Sequence, residues 1–295
     1  MRSDAVVLTG PRTRALDFVA LAKPRLNFLV VASALAGYWM GDPDGLGAMR
    51  LLATLAGTGL VAGGASAFNQ LLERDLDALM RRTRLRPLAD QRLQPIEGAV
   101  FGAAIAVTGL LMLAAAANLL AAGVALITLV SYVLVYTPLK RRSSFGTVIG
   151  AIPGALPPII GWAAARGTLS MEAWTLFGIV FLWQLPHFLA IAWIYREDYA
   201  SAGFPMLSVI EPDGRSTGRQ AALYAAALVP LSLAPTLMGL AGRTYFAGAL
   251  ALGLLFVFLT LRFANTRSIR DARWVFFGSI TYLPLIWILM IADRI

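Results

Sequence analysis

Long apolar runs separated by short polar stretches organise this chain. A hydrocarbon layer about 30 Å thick is spanned by roughly 17–25 apolar residues in an α-helix. Nine such runs are found, near residues 25–41, 51–72, 96–116, 119–137, 146–165, 173–195, 220–239, 244–262 and 274–292. The division between the third and fourth is the faintest, marked only by Asn118. No soluble domain or low-complexity tract separates the runs. Residues 1–295 therefore read as one domain, an all-α polytopic membrane protein of about nine transmembrane helices, with a polar N-terminal segment over 1–22. That segment has no short apolar core followed by a small-residue cleavage site, and it does not read as a cleaved signal peptide.

Composition agrees. Hydrophobic residues make up 58% of the chain and charged ones 14%, with a mean hydropathy of +0.71. Soluble domains carry about 25% charged residues, so a soluble fold of this sequence would lack a surface. The absence of cysteine excludes disulfides, thiolate metal sites and a cysteine nucleophile. A formal charge of +9 is compatible with nucleic acid in isolation, but the apolar content argues for no nucleic-acid partner. Membrane topology explains the charge better. The N-terminus, the loops after even-numbered runs and their flanking residues hold 21 of the 25 Lys and Arg residues, and the opposite side holds Arg50, Arg166, Arg243 and Arg294. This positive-inside pattern places the N-terminus in the cytoplasm, as in a multi-pass protein of a bacterial inner membrane.

The same side carries nearly all the candidate chemistry. At the end of the second run, Asn69, Glu73 and Asp77 follow at i, i+4 and i+8 and so share one helix face over about 12 Å. Carboxylates in a partly dry site need a cation, and an oxygen donor set of this kind suits Mg²⁺. Arg84 and Arg86 follow closely, where guanidinium groups can hold phosphate. A solvated, charge-balanced surface loop is the competing reading. Against it, Asn69 and Glu73 continue an apolar helix, where polar groups are costly unless used. Asp75 falls on another face, suited to pairing with an arginine.

A second cluster ends the sixth run. On an uninterrupted helix His187, Tyr195 and Asp198 fall within a sector of roughly 80°, which lets Asp198 meet the first cluster across a cleft. Glu197 and Asp198 otherwise serve as interfacial charges balancing Arg196. Trp183, Phe188 and Tyr195 supply aromatic surface, and the loop from Tyr199 to Leu207, with Gly203 and Pro205, reads as a structured lid. The third cluster, Tyr136 to Arg142, includes Lys140 and Arg141 and doubles as a positive-inside anchor. It precedes Gly150, Pro153, Gly154, Pro157, Pro158 and Gly161. Irregular backbone at that depth either lines a cavity or is buried in close helix packing.

On these residues the sequence resembles the UbiA superfamily of intramembrane prenyltransferases. Asn69, Gln70, Glu73 and Asp77 match its first aspartate-rich motif, with glutamine and glutamate replacing two aspartates. The resemblance is nearest to the branch that farnesylates protohaem IX. It is carried by Met80, Arg82, Thr83, Arg86 and Pro87; by Tyr136, Thr137, Lys140 and Arg141; and by Pro153, Gly154, Pro157, Pro158, Gly161 and Trp162. Further matches are Trp183, Pro186, His187 and Phe188, then Asp198, Tyr199, Gly203, Pro205, Met206 and Leu207. It implies a helical bundle around a cytoplasm-facing, lipid-accessible cavity, and transfer of farnesyl from farnesyl diphosphate to the 2-vinyl group of haem B, which is substrate and not prosthetic group. Asn69, Glu73, Asp77, Lys140 and Asp198 are then the catalytic candidates, and Asn69, Glu73, Asp77, Glu197 and Asp198 the Mg²⁺ ligands. Arg84, Arg86, Lys140 and Arg141 bind diphosphate, and Tyr136, Trp183, His187, Phe188 and Tyr195 face prenyl chain or haem. His187, the only histidine, contacts either the iron or a propionate, or is simply packed in the bundle. Gln70 cannot bring an aspartate's charge to a metal. Haem A synthase and terminal-oxidase assembly factors are the implied partners. The competing functions are the same chemistry on a quinone precursor or another tetrapyrrole, a transporter, and a haem-binding assembly factor.

Overall fold

A computed structural model describes residues 14–42 and 47–295. Helix α1 (Arg14–Ala22) leads into α2 (Pro24–Gly41), followed by α3 (Ala48–Asp77) and α4 (Pro95–Ala116). Next, α5 (Leu119–Val130) continues through a π-helical turn, Ser131–Tyr136, into α6 (Thr137–Lys140). Then come α7 (Gly146–Ala155), α8 (Pro157–Arg166), α9 (Met171–Ile194), α10 (Arg196–Ser201) and α11 (Leu207–Ile210). The last three are α12 (Arg215–Leu237), α13 (Arg243–Thr266) and α14 (Ile269–Ala292). Among the described residues eight helical rods are long and apolar enough to cross a membrane, and a ninth arises if α1 and α2, bent by 41° at Lys23, form one span. These rods match the nine apolar runs. Asn118 does mark the third division: its side chain caps α5 by accepting from the Ala121 N–H at 2.8 Å.

Contacts at the helix ends show that the rods alternate in direction. At one end Arg294 donates to the carbonyls of Trp39 and Asp42, and Arg50 to that of Ala117. At the other end Arg92 pairs with Asp17, Arg262 with Asp271 and Lys140 with Glu73. The second end is the basic one, and it gathers the three clusters.

Two stretches of the sequence take their form here. Within the segment taken as a polar tail, residues 14–22 form a docked helix, while residues 1–13 lie outside the described residues. Asp17 and Leu21 on α1 are buried. Phe18 packs on Phe101 with ring centroids 5.2 Å apart. Second, the glycine- and proline-rich stretch serves close packing. Pro157 breaks the span so that α8 can lie against α2, and Pro157 to Ala165 are all buried. The helices nearly touch backbone to backbone. A Cβ on Gly161 would sit 1.9 Å from the Ala34 carbonyl oxygen, and one on Gly37 1.9 Å from that of Pro158. Without a hydrophobic effect between helices in lipid, such small-residue contacts carry association through van der Waals packing.

Candidate active site at the basic end

Helix α3 supplies the centre of the site. Its last three turns carry Asn69, Gln70, Glu73 and Asp77, all buried. A charge so placed needs a partner, because an uncompensated buried ion costs several kcal/mol. Each carboxylate has one. Glu73 accepts from Lys140 Nζ at 3.2 and 3.3 Å, and Asp77 accepts from Arg86 Nη1 at 2.8 and 2.7 Å. Asn69 donates to Thr137 Oγ1 at 3.3 Å and accepts from Lys23 Nζ at 3.4 Å. Asp75 is exposed and pairs with Arg74, as its helix face implies.

The π-helical turn determines how Lys140 enters. Pro138 has no N–H to give to the carbonyl four residues back, and its ring crowds that position. The chain widens by one residue, so the Thr137 N–H bonds the Tyr132 carbonyl, as does its hydroxyl at 2.9 Å. π-Bulges concentrate at functional sites, and this one turns Thr137 and Lys140 toward α3. Tyr136 lies against α7, where a Cβ on Gly150 would come within 2.4 Å of its ring.

The segment after α9 covers the site. Helix α9 ends at Ile194 and Tyr195 leaves helical geometry at φ −108°, ψ 25°. The uninterrupted helix needed to align His187, Tyr195 and Asp198 is therefore absent. Asp198 still reaches the first cluster, accepting the Arg82 backbone N–H at 3.3 Å. Gly203, at φ 71°, turns the chain so that the buried Phe204 ring lies 4.7 Å from Lys140 Nζ, with Tyr199 at 5.9 Å. Arg82 stacks over Tyr195 at 5.1 Å. Tyr199, Phe204 and Met206 pack with Met80 in one small core, so the expected lid is docked on the loop after α3.

The remaining candidates are distributed more widely. Arg84, Arg141 and Glu197 are exposed and outside this network. Phe188 and Tyr195 are exposed by 37% and 39%, which leaves ring surface free for a ligand. Trp183 is buried, donating from Nε1 to the Ser279 carbonyl at 2.8 Å, and so belongs to the α9–α14 interface. His187 lies beside it, stacked between Trp183 and Phe276 at 5.4 and 5.2 Å, with Nδ1 2.7 Å from Ser279 Oγ. The same hydroxyl lies 2.6 Å from the Phe276 carbonyl, so its one proton serves either that oxygen or Nδ1, and the tautomer of His187 follows that choice.

Among the described residues no three His, Cys, Asp or Glu side chains already converge as a metal cage. The donor set nonetheless fits a divalent cation bound together with an anion. Glu73, Asp77 and Asn69 offer hard oxygen atoms in a buried cleft, and Lys140 and Arg86 now occupy the positions of a counter-charge. Mg²⁺ is usually held by one or two carboxylates plus substrate phosphate, and such a ligand would release both cations toward the phosphate oxygens. The parts played by two residues escaped sequence reasoning. Thr137 was matched by resemblance but given no role until the π-turn showed it bonded to Asn69. Lys23 reaches the site because the chain breaks there, and the Lys–Pro pair was its one signal.

Comparison with known proteins bears on this arrangement. The profile of the UbiA prenyltransferase family matches residues 30–282. A protoheme IX farnesyltransferase of Solibacter usitatus (strain Ellin6076) is 48% identical over 287 residues, covering 94% of this chain and 98% of that one. Another, of Koribacter versatilis (strain Ellin345), is 43% identical over 300 residues, covering 98% and 97%. Among solved structures, that of a digeranylgeranylglyceryl phosphate synthase superposes with a TM-score of 0.79 at 16% identity, covering 95% of this chain and 98% of that one. A UbiA homologue from Archaeoglobus fulgidus bound to GPP and Mg²⁺ superposes at 0.65 with 17% identity, covering 93% and 99%. At these identities the likeness is one of fold.

Proposed function

The chain belongs to the UbiA prenyltransferase family, and from that membership we propose that it farnesylates haem B (protohaem IX) to give haem O. The carrying observation is the buried Asn69–Glu73–Asp77 face with Lys140 and Arg86 held against it. It is joined to relatives at 40–48% identity over nearly the whole chain that bear the name protoheme IX farnesyltransferase. A divalent metal acting with a diphosphate agrees with the GPP- and Mg²⁺-bound homologue.

In this reading the farnesyl C–O bond breaks, diphosphate leaves with the electron pair, and the 2-vinyl group of haem B attacks the allylic carbon. Water then adds to the resulting cation and loses a proton, leaving a hydroxyethylfarnesyl substituent. Asn69, Glu73 and Asp77 would hold Mg²⁺, with Asp198, and exposed Glu197 beyond it, as further donors. The metal, when bound, neutralises charge developing on the leaving diphosphate. Lys140 and Arg86, freed from their carboxylates, bind its non-bridging oxygens, and exposed Arg84 and Arg141 draw the anion in. The rings of Phe204, Tyr199, Tyr195, Tyr136 and Phe188 exclude water, and those nearest the allylic carbon stabilise its positive charge by cation–π attraction. His187 faces haem.

The positive-inside pattern supports a cytoplasmic N-terminus and site in a bacterial inner membrane. Haem A synthase and terminal-oxidase assembly factors are the partners that a haem O product needs. Purified protein supplied with haem B, farnesyl diphosphate and Mg²⁺ should yield haem O by mass spectrometry. A panel of quinone precursors and other tetrapyrroles should give no product. Prenylation of one of those in place of haem would overturn the assignment.

A further inference from the structure

Lys23 is the single residue between α1 and α2, at φ 47° and ψ 56° in the left-handed region. That conformation costs a residue with a side chain on the order of 1 kcal/mol, and glycine is its usual occupant. The surroundings are built to keep it. Pro24 starts α2 without an N–H, leaving carbonyls open at the end of α1. The Leu21 carbonyl accepts from Gln70 Nε2 at 2.9 Å, and that of Ala22 from Asn27 Nδ2 at 2.6 Å. Gln70 occupies the position where the family motif has aspartate. A carboxylate there could not make this bond. The departure from the motif and the turn at Lys23 are thus one construction, and its result is to send the Lys23 ammonium to Asn69 Oδ1, within electrostatic range of Arg86, Asp77, Glu73 and Lys140.

The cations of the cleft differ in what holds them. Lys140 and Arg86 each hold a carboxylate. Among the described residues the Lys23 ammonium has instead one hydrogen-bond partner, the neutral amide of Asn69, at the long distance of 3.4 Å. Of these three cations, Lys23 is thus the one without a carboxylate partner among the described residues. An incoming diphosphate must wait for Lys140 and Arg86 to exchange partners, but it meets Lys23 with no ion pair to break.

We propose that Lys23 is the metal-independent anchor of the diphosphate, binding it before Lys140 and Arg86 leave Glu73 and Asp77. The proposal rests on the reading of this cleft as a prenyl diphosphate site. A haem propionate offers the same anionic chemistry, and the experiment separates the two.

Binding of inorganic pyrophosphate, and separately of haem B, is measured by calorimetry on the full chain in detergent, with EDTA and with Mg²⁺. Wild type is compared with Lys23→Gly and Lys23→Arg. Glycine relieves the left-handed turn, so Lys23→Gly melts at or above the wild-type temperature and any loss of binding is not loss of fold. In EDTA, Lys23→Gly should bind pyrophosphate about ten- to a hundredfold more weakly, the loss of one charge-assisted contact. Lys23→Arg should recover most of it, haem binding should not change, and Mg²⁺ should narrow the difference. Equal pyrophosphate affinity of wild type and Lys23→Gly in EDTA overturns the proposal, as does wild-type binding that requires Mg²⁺ altogether. Loss of haem affinity with pyrophosphate binding intact assigns Lys23 to a propionate and also overturns it. Wild type that binds pyrophosphate in neither condition refutes the diphosphate reading of the cleft itself, and the anchor falls with it.

Discussion

Restoring the motif aspartate, Gln70→Asp, should damage this enzyme. Gln70 is 1% exposed, and its Nε2 satisfies the Leu21 carbonyl at 2.9 Å. Aspartate is one methylene shorter and, ionised, has no proton to give. Leaving a buried carbonyl unsatisfied costs about 1–3 kcal/mol. The new charge adds to this, because Lys140 and Arg86 are already committed to Glu73 and Asp77. Lys23 is the cation left to respond, and pairing with the introduced carboxylate would withdraw it from the cleft. The purified variant should therefore melt several degrees lower in detergent, and haem farnesylation followed by mass spectrometry should fall at every Mg²⁺ concentration. If Gln70 instead stands in for a metal ligand, aspartate should tighten Mg²⁺. An unchanged melting temperature with half-maximal activity at lower Mg²⁺ would refute the structural role argued for Gln70.

Three other perturbations test separate parts of the site. Asp77→Asn should lower turnover by about a hundredfold or more, the scale of a lost transition-state electrostatic contact, while the protein still inserts; full activity in that variant or in excess chelator refutes the metal reading. Pro138→Ala restores an N–H and should let the π-turn relax to α-helix, rotating Lys140 by about 100° relative to α5; turnover should collapse with the melting temperature unchanged or raised, and retained activity would show that the turn does not orient Lys140. His187→Ala should weaken haem binding while leaving pyrophosphate affinity intact, measured by haem titration, and unchanged haem affinity would leave His187 a packing residue against Ser279.

What the sequence made legible follows from periodicity. Asn69, Glu73 and Asp77 lie on one continuous helix, so their common face could be read from spacing alone. The nine apolar runs were equally open, since lipid demands length and hydrophobicity of any spanning helix. The reading failed where geometry left the helix. His187 and Asp198 do not share a face because α9 stops at Tyr195. Lys23 follows directly on a segment whose polar residues disguised a docked helix with buried Asp17 and Leu21. The proline–glycine stretch from Gly150 to Gly161 suited either a cavity or close packing, and only the 1.9 Å clearances at Gly37 and Gly161 distinguish them.

Four of the irregular turns share a location that bears on how the site works. In lipid, a regular helix satisfies its own backbone, and departures are tolerated only where protein or a cavity supplies the missing partners. Here the left-handed Lys23, the π-turn before Pro138, the break at Tyr195 and the turn at Gly203 surround the cleft at the basic end. Each breaks the backbone pattern for a polar or aromatic result: an ammonium, the Lys140 side chain, Asp198 against Arg82, and Phe204 over Lys140. The partners they need come from the site itself. Gln70 and Asn27 satisfy the end of α1, and Thr137, which takes up the Tyr132 carbonyl, also binds Asn69. Backbone satisfaction and charge placement are therefore one network. A substitution that repairs a turn locally should therefore cost function. A prenyl diphosphate fits such a boundary because its anionic head needs the polar end of the bundle and its chain needs lipid-depth apolar surface. The interface is where one site meets both requirements.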